Sequence, residues 1–351
     1  MRNTAILVLA LAGSLSAQTL SYAPLGTETK EGNTNNTIPW WSASGTYQQL
    51  HDATDLTNVF SGGQFALINS IGLRKDGLSS TTPAARTLDV QITLGTTGVS
   101  AASATSNFAS NMGVNSQIVL PYTTVNLPSL SNTSIPNQLG WNFPFSSPYP
   151  YVVSQGNLCW EIRFLNNTST ASAPLDAANT TSLVNYTPFG GGCVATGQST
   201  AAAIGLRSAS LTTGLYRNRL DRGPATAPAA FWVGVTPQPI TLPGLCAALE
   251  FLPFADVPGM TDAAGQWDLQ LTFPNLNTVT DAEVYGQFVF LDGGLPFGFG
   301  LSDASRLQFP FSGAQGMARI YAAPSQGGAG NELATDGSVG LRYGLVTIFG
   351  T

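Results

Sequence analysis

Between Leu158 and Phe164 the chain reads LCWEIRF, which puts Leu158, Trp160, Ile162 and Phe164 on one side of an extended strand and Cys159, Glu161 and Arg163 on the other. The alternation predicts a half-buried β-strand. TLDVQITL at 87–94 repeats the pattern, with Leu88, Val90, Ile92 and Leu94 facing inward. SIGLR at 70–74 leads into a Lys-Asp-Gly turn, and QIVL and GWNF follow. After a strip at 166–203 rich in Asn, Thr, Ser, Ala and Gly, the same period returns in AFWVGV, CAALEFL, GQWDLQLTF and VYGQFVFL. VYGQFVFL is apolar on both faces, which predicts a central strand covered on both sides. Sustained helical spacing with capping signals is missing.

Short strands separated by Gly, Pro, Ser and Asn clusters predict an all-β chain, a jelly-roll-like β-sandwich followed by a smaller β-sandwich module. The expected organisation is an irregular lead at 18–46, the first sandwich at 47–185, the module at 186–305, and a β extension at 306–351 that could complete either sheet. Ahead of these, residues 1–17 carry Arg2, an apolar run from Ala5 to Ala12 and small residues before Gln18. This is the pattern of a secretory signal peptide cleaved after Ala17, so the protein is expected to be exported, to the periplasm, the cell surface or the medium. The run is too short to span a bilayer, and no later segment replaces it.

Composition changes the picture in two ways. Charged residues make up 9% of the 351, far below the usual quarter, while hydrophobic residues reach 43%. Cores can therefore form, and the surface must be mostly uncharged polar groups. The net charge of −6 disfavours nucleic acid and anionic membranes as partners.

Three cysteines in an exported chain allow one disulfide. The reading favours Cys193–Cys246, worth roughly 4 kcal/mol in the chain-entropy model, with Cys159 left free. Neither a histidine nor a helix start lies beside Cys159 to activate it. His51 is the single histidine, which excludes a multi-histidine zinc site. A serine triad would need His51 with Asp52 or Asp55, and no G-x-S-x-G elbow is present. Glu161, Glu250, Asp268 and Glu283 could supply a glycosidase pair, although strand position alone brings no two together. No catalytic residue and no cofactor is assigned, with loop-bound calcium left open. Trp40, Trp41 and Tyr47 are candidate ligand-binding residues, able to stack on sugar rings if exposed; the alternative is that the Trp pair plugs one end of the sandwich.

YQQLHDAT at 47–54, SIGLRKDG at 70–77, LDVQITLGTT at 88–97, SNFASNMG at 106–113 and PYPYVVSQGNLCWEI at 148–162 together resemble a domain of secreted planctomycete proteins, related to exported domains that often carry PEP-CTERM sorting tails. The later motifs GGGC, FWVGV, LPGLC, AGQWDLQLTFP and VYGQFVF resemble a small Cys-containing C-terminal β-module of the same secretome. The resemblance implies export and a two-part β architecture, and brings no catalytic residues. His51 stands where an aromatic residue is expected, and the sorting tail is missing. The reading is thus an exported, non-catalytic binding or structural protein of the cell envelope or extracellular space, with polysaccharide or envelope components as possible partners. Its alternative is an extracellular carbohydrate-active hydrolase using a carboxylate pair.

Overall fold

A computed structural model describes residues 18–60, 63–180, 185–210, 213–273, 279–323 and 331–351; the expected signal peptide lies outside these. The first strands are β1 (Leu20–Ala23), β2 (Thr34–Asn36), β3 (Gly45–His51), β4 (Phe65–Leu73), β5 (Arg86–Thr97), β6 (Gln117–Leu127), β7 (Trp141–Val152), β8 (Asn157–Leu165) and β9 (Leu175–Asn179). A second series follows: β10 (Asn185–Phe189), β11 (Ala203–Ser210), β12 (Leu215–Asp221), β13 (Pro228–Thr236), β14 (Leu252–Met260), β15 (Trp267–Thr272), β16 (Glu283–Leu291) and β17 (Phe299–Gln308). The chain ends with β18 (Met317–Ala322), β19 (Ser338–Leu341), β20 (Tyr343–Leu345) and β21 (Thr347–Gly350). Among the described residues helix is confined to short turns such as Ala53–Leu56 and Phe108–Met112.

The architecture is all-β, multi-sheet and sandwich-like. A six-stranded sheet, β19-β18-β3-β8-β5-β6, faces a four-stranded sheet, β1-β21-β4-β7, and β2-β9-β20 forms a small third sheet. Leu88, Val90, Ile92 and Leu94 of β5 and Leu158, Trp160, Ile162 and Phe164 of β8 meet Ile68, Ile71, Phe143 and Tyr151 of the facing sheet in one core. The second series builds a five-stranded sheet, β10-β17-β16-β13-β14, over a three-stranded one, β11-β12-β15. The central placement of VYGQFVFL holds: β16 is the middle strand.

One open alternative is decided and two expectations are corrected. The tail, able on sequence to complete either sheet, completes the first unit: β18 pairs with β3, β20 with β9 and β21 with β4. The first unit is therefore closed by the end of the chain, and the module is an insertion between β9 and β18. The lead is not irregular, because β1 pairs with β21 and β2 with β9. Finally, β8 is covered on both faces rather than half-buried. Cys159 lies fully buried with Leu50, Ala318 and Ile320 of the same sheet, since the Phe108–Met112 turn and Ala101 cover that side.

Prolines within strands obey one rule. Pro121 is in β6, Pro144, Pro148 and Pro150 in β7, Pro188 in β10, and Pro253 and Pro258 in β14, all sheet edges; Pro228 is the first residue of β13. A residue with no N–H is tolerated where one side of the strand has no partner to receive it.

Candidate functional site

The side chains best suited to covalent or acid–base chemistry are walled in. His51 is buried, and two N–H donors, Gln49 Nε2 at 3.0 Å and Trp160 Nε1 at 3.3 Å, converge on its Nε2. Burial pulls its pKa down to about 3, so the ring is neutral. Asp52 accepts from the Ala101 amide at 2.7 Å rather than orienting the imidazole. Burial, followed by the Glu161 charge, pushes the Cys159 thiol well above its ordinary value, the opposite of an activated nucleophile. Cys193 and Cys246 are disulfide-bonded as expected.

The aromatic trio does not form a sugar platform. Trp40 is fully buried, stacked 5.9 Å from Phe143 and edge-on 6.0 Å from Trp141, so it plugs the core. Tyr47 is buried 5.5 Å from Trp160, and its hydroxyl donates to Gln49 Oε1 at 2.9 Å. Trp41 alone keeps partial exposure. Of the four carboxylates, Glu161 is bound by Arg163 at 2.6 Å and by Gln48 at 3.0 Å on the six-stranded sheet. Asp268 is exposed on the three-stranded sheet, and Glu250 is half-buried ahead of β14. Among the described residues no three His, Cys, Asp or Glu side chains come together to hold a metal.

Glu283 belongs to a different setting. In the five-stranded sheet, Arg306 of β17 lies opposite Thr187 of β10 on one side and Tyr285 of β16 on the other. Phe189 and Glu283, two residues along their strands, share that face. It is the face turned away from Phe288, Phe290 and Leu307, which pack into the module core. The module is held against the first unit here. Lys30 Nζ donates to the Asp281 carbonyl at 2.9 Å, and Gln308 Nε2 donates to the Glu31 carbonyl. Between the two units remains a cleft of about 300 Å³ lined by Lys30, Glu31, Phe189, Glu283, Tyr285 and Arg306, with Ile135 and Pro136 on the sandwich side. A more open hollow of about 540 Å³, lined by Asp55, Asp281 and Phe311, lies on the other side of Lys30.

The cleft combines aromatic surface with incompletely matched charge. Phe189 and Tyr285 meet edge-to-face at 6.1 Å. The Tyr285 hydroxyl donates to Glu283 Oε2 at 2.5 Å, while Arg306 Nη1 stands 4.0 Å from Glu283 Oε1, an ion pair too long for a hydrogen bond. Arg306 Nη2 and Glu31 Oε2 are buried without a partner. The other Glu31 oxygen accepts from the Gly77 amide at 2.6 Å. Burial, then the charge of Asp176, pushes Glu31 up to about 8, so it is mainly protonated at neutral pH.

Sequence reasoning missed Lys30, Glu31, Arg306 and Tyr285. The visible signal was Glu283, Tyr285 and Arg306 at same-face positions of strands that are otherwise apolar. Their meeting with Glu31, more than 250 residues earlier, depends on the insertion topology. Compared with known protein families and with curated proteins, the chain matches no family model and no curated protein.

Proposed function

We propose that the protein is an exported, non-catalytic binding protein of the cell envelope or extracellular space, built as a jelly-roll-like sandwich that carries a smaller sandwich module, and that its ligand occupies the cleft between the two. The observation that carries this reading is the cleft itself: a concave site at a domain junction with aromatic walls and a few convergent polar groups, the usual composition of a small-molecule site. The buried, neutral His51 and the buried Cys159 support binding over covalent chemistry. The signal-like residues 1–17 and the resemblance to secreted planctomycete proteins support export, and no helix among the described residues is long and apolar enough to cross a membrane.

One observation favours the hydrolase reading: Glu31 and Glu283 line the same cleft, one held protonated and the other paired with Arg306. Against it, Glu31 is fully buried, which leaves its proton no open path to a glycosidic oxygen.

The test is a saccharide panel applied to residues 18–351, scored for both binding and release of reducing ends. The expected result is binding without turnover, weakened at least tenfold by Phe189→Ala. Binding untouched by Phe189→Ala overturns the cleft assignment, and turnover abolished by Glu283→Gln establishes hydrolysis instead.

A further inference from the structure

The chemistry of the cleft narrows the ligand class, on the premise that the cleft is the binding site. Its size, about 300 Å³, sits at the small end of ligand sites and suits one or two rings. Lys30 and Arg306 line it together with Glu283 and the buried carboxyl of Glu31, whose pKa burial raises. Lys30 is engaged by a backbone carbonyl, and Glu283 is engaged by Tyr285. Arg306 is less fully engaged: its side chain reaches the Tyr285 hydroxyl, but its Nη2 has no acceptor and its nearest carboxylate oxygen is 4.0 Å away.

A buried donor without an acceptor is costly, and a carboxylate is the acceptor that best matches a guanidinium in both charge and shape. Beside it, the half-buried ring of Phe189, backed edge-to-face by the buried Tyr285, offers an apolar wall of the kind that packs against the C–H face of a sugar. Thr29 and Thr187 also line the cleft, and polar residues of that kind suit a polyol better than a hydrocarbon acid.

We infer that the cleft receives a carboxylate-bearing sugar, the carboxylate anchored by Arg306 and the ring set against Phe189, with Tyr285 behind it.

Isothermal titration of residues 18–351 with galacturonic acid, glucuronic acid, galactose and benzoate tests this at pH 6.5. At least one uronic acid should bind tenfold or more tightly than galactose and than benzoate. Raising NaCl from 20 to 500 mM should weaken uronate binding severalfold and leave galactose unchanged, a readout that needs no variant. Arg306→Gln should remove the uronate preference, and Arg306→Lys should keep part of it. Phe189→Ala should weaken uronate and galactose alike. Galactose bound as tightly as either uronate, with sensitivity to Phe189→Ala, overturns the ligand class and leaves the cleft as a site. Benzoate bound as tightly as the uronates overturns the sugar requirement. Absence of binding by all four, or uronate binding indifferent to both Arg306 variants and Phe189→Ala, overturns the placement as well.

Discussion

The sandwich and the inserted module solve the same stability problem with different chemistry. In the sandwich, buried charge and amide networks knit strand to strand. Arg74 is completely buried, pairing with Asp176 at 2.5 Å while donating to the carbonyls of Thr27 and Lys30. Arg86 donates to the carbonyls of Trp40, Ser169 and Ala171. Gln48 and Asn111 bond at 3.0 Å, and Asn33 bonds both backbone groups of Asn179. The module has no buried cation among its described residues, although it too buries amides, Gln287 donating to the Ala248 and Ser302 carbonyls and Asn218 to the Tyr216 hydroxyl. It relies on an aromatic core around Phe231, Phe288 and Trp267 and on the Cys193–Cys246 bond. Networks of that kind fix register at considerable risk, since each buried group depends on its partner, whereas a cross-link acts mainly on the unfolded chain.

The largest effect should therefore come from breaking one partner in the sandwich. Arg74→Met leaves Asp176 buried without its guanidinium and strips the Thr27 and Lys30 carbonyls of their donor, at a cost of about 3–5 kcal/mol in urea unfolding. Adding Asp176→Leu should recover much of that loss, because a buried pair is worth little beyond a well-packed apolar substitute. A single Arg74→Met variant within 1 kcal/mol of wild type would show that the network is ornamental and would erase the contrast between the two units.

Removing the disulfide should come next. Replacing Cys193 and Cys246 together by alanine releases a cross-link with a sequence separation of 53 and should cost about 2–4 kcal/mol. Hydrogen exchange sharpens the comparison: amides of β13, β16 and β17 should lose protection while those of β5 and β8 keep theirs. Equal loss in both sets would mean that the junction bonds of Lys30 and Gln308 fuse the units into one cooperative block.

How far this contrast could be seen in the sequence follows from how local each signal is. Period-two alternation needs only one strand, so β5, β8, β15 and the central position of β16 were legible from their own residues. The Cys193–Cys246 pairing was legible because three cysteines allow few choices. The polarity of the lead concealed β1 and β2, since both are short strands completed by β21 and β9 from the far end of the chain. The same distance hid the insertion. RIYAA and RYGLVTIF look alike whether they close the module or the sandwich, and partner choice is a tertiary property. Cys159 shows the limit most clearly: alternation assigns it to the face opposite Trp160, but whether that face meets water depends on the turn at Phe108–Met112 and on Ala101. Glu31 and Arg306 carry no local mark of meeting at all.

The smallest of these effects separates the two regions by pH, because the sandwich holds two neighbouring buried carboxyls, Glu31 and Asp176, that burial raises toward neutrality. Glu31 faces Asp176, Asp76, Arg74 and Lys75, and its folded pKa of about 8 lies well above its ordinary value of 4.5. For a carboxyl raised in the folded state, the stabilising contribution is complete below the unfolded pKa and is lost as pH climbs to the folded one. Lowering pH from 8 to 6.5 should thus raise sandwich stability, by an amount on the order of 1 kcal/mol. His51 adds no opposing slope in that window, since its folded pKa is lowered and its penalty begins only below the ordinary histidine value of 6.5. Glu31→Gln, which keeps the side chain neutral and able to accept from Gly77, should flatten the profile and be the more stable protein at pH 8. Urea midpoints at pH 6.5, 7.25 and 8 decide it, with module exchange rates corrected for the intrinsic pH effect as the internal control. A wild-type midpoint that rises with pH, or a Glu31→Gln protein with the wild-type slope, would place the titrating group elsewhere.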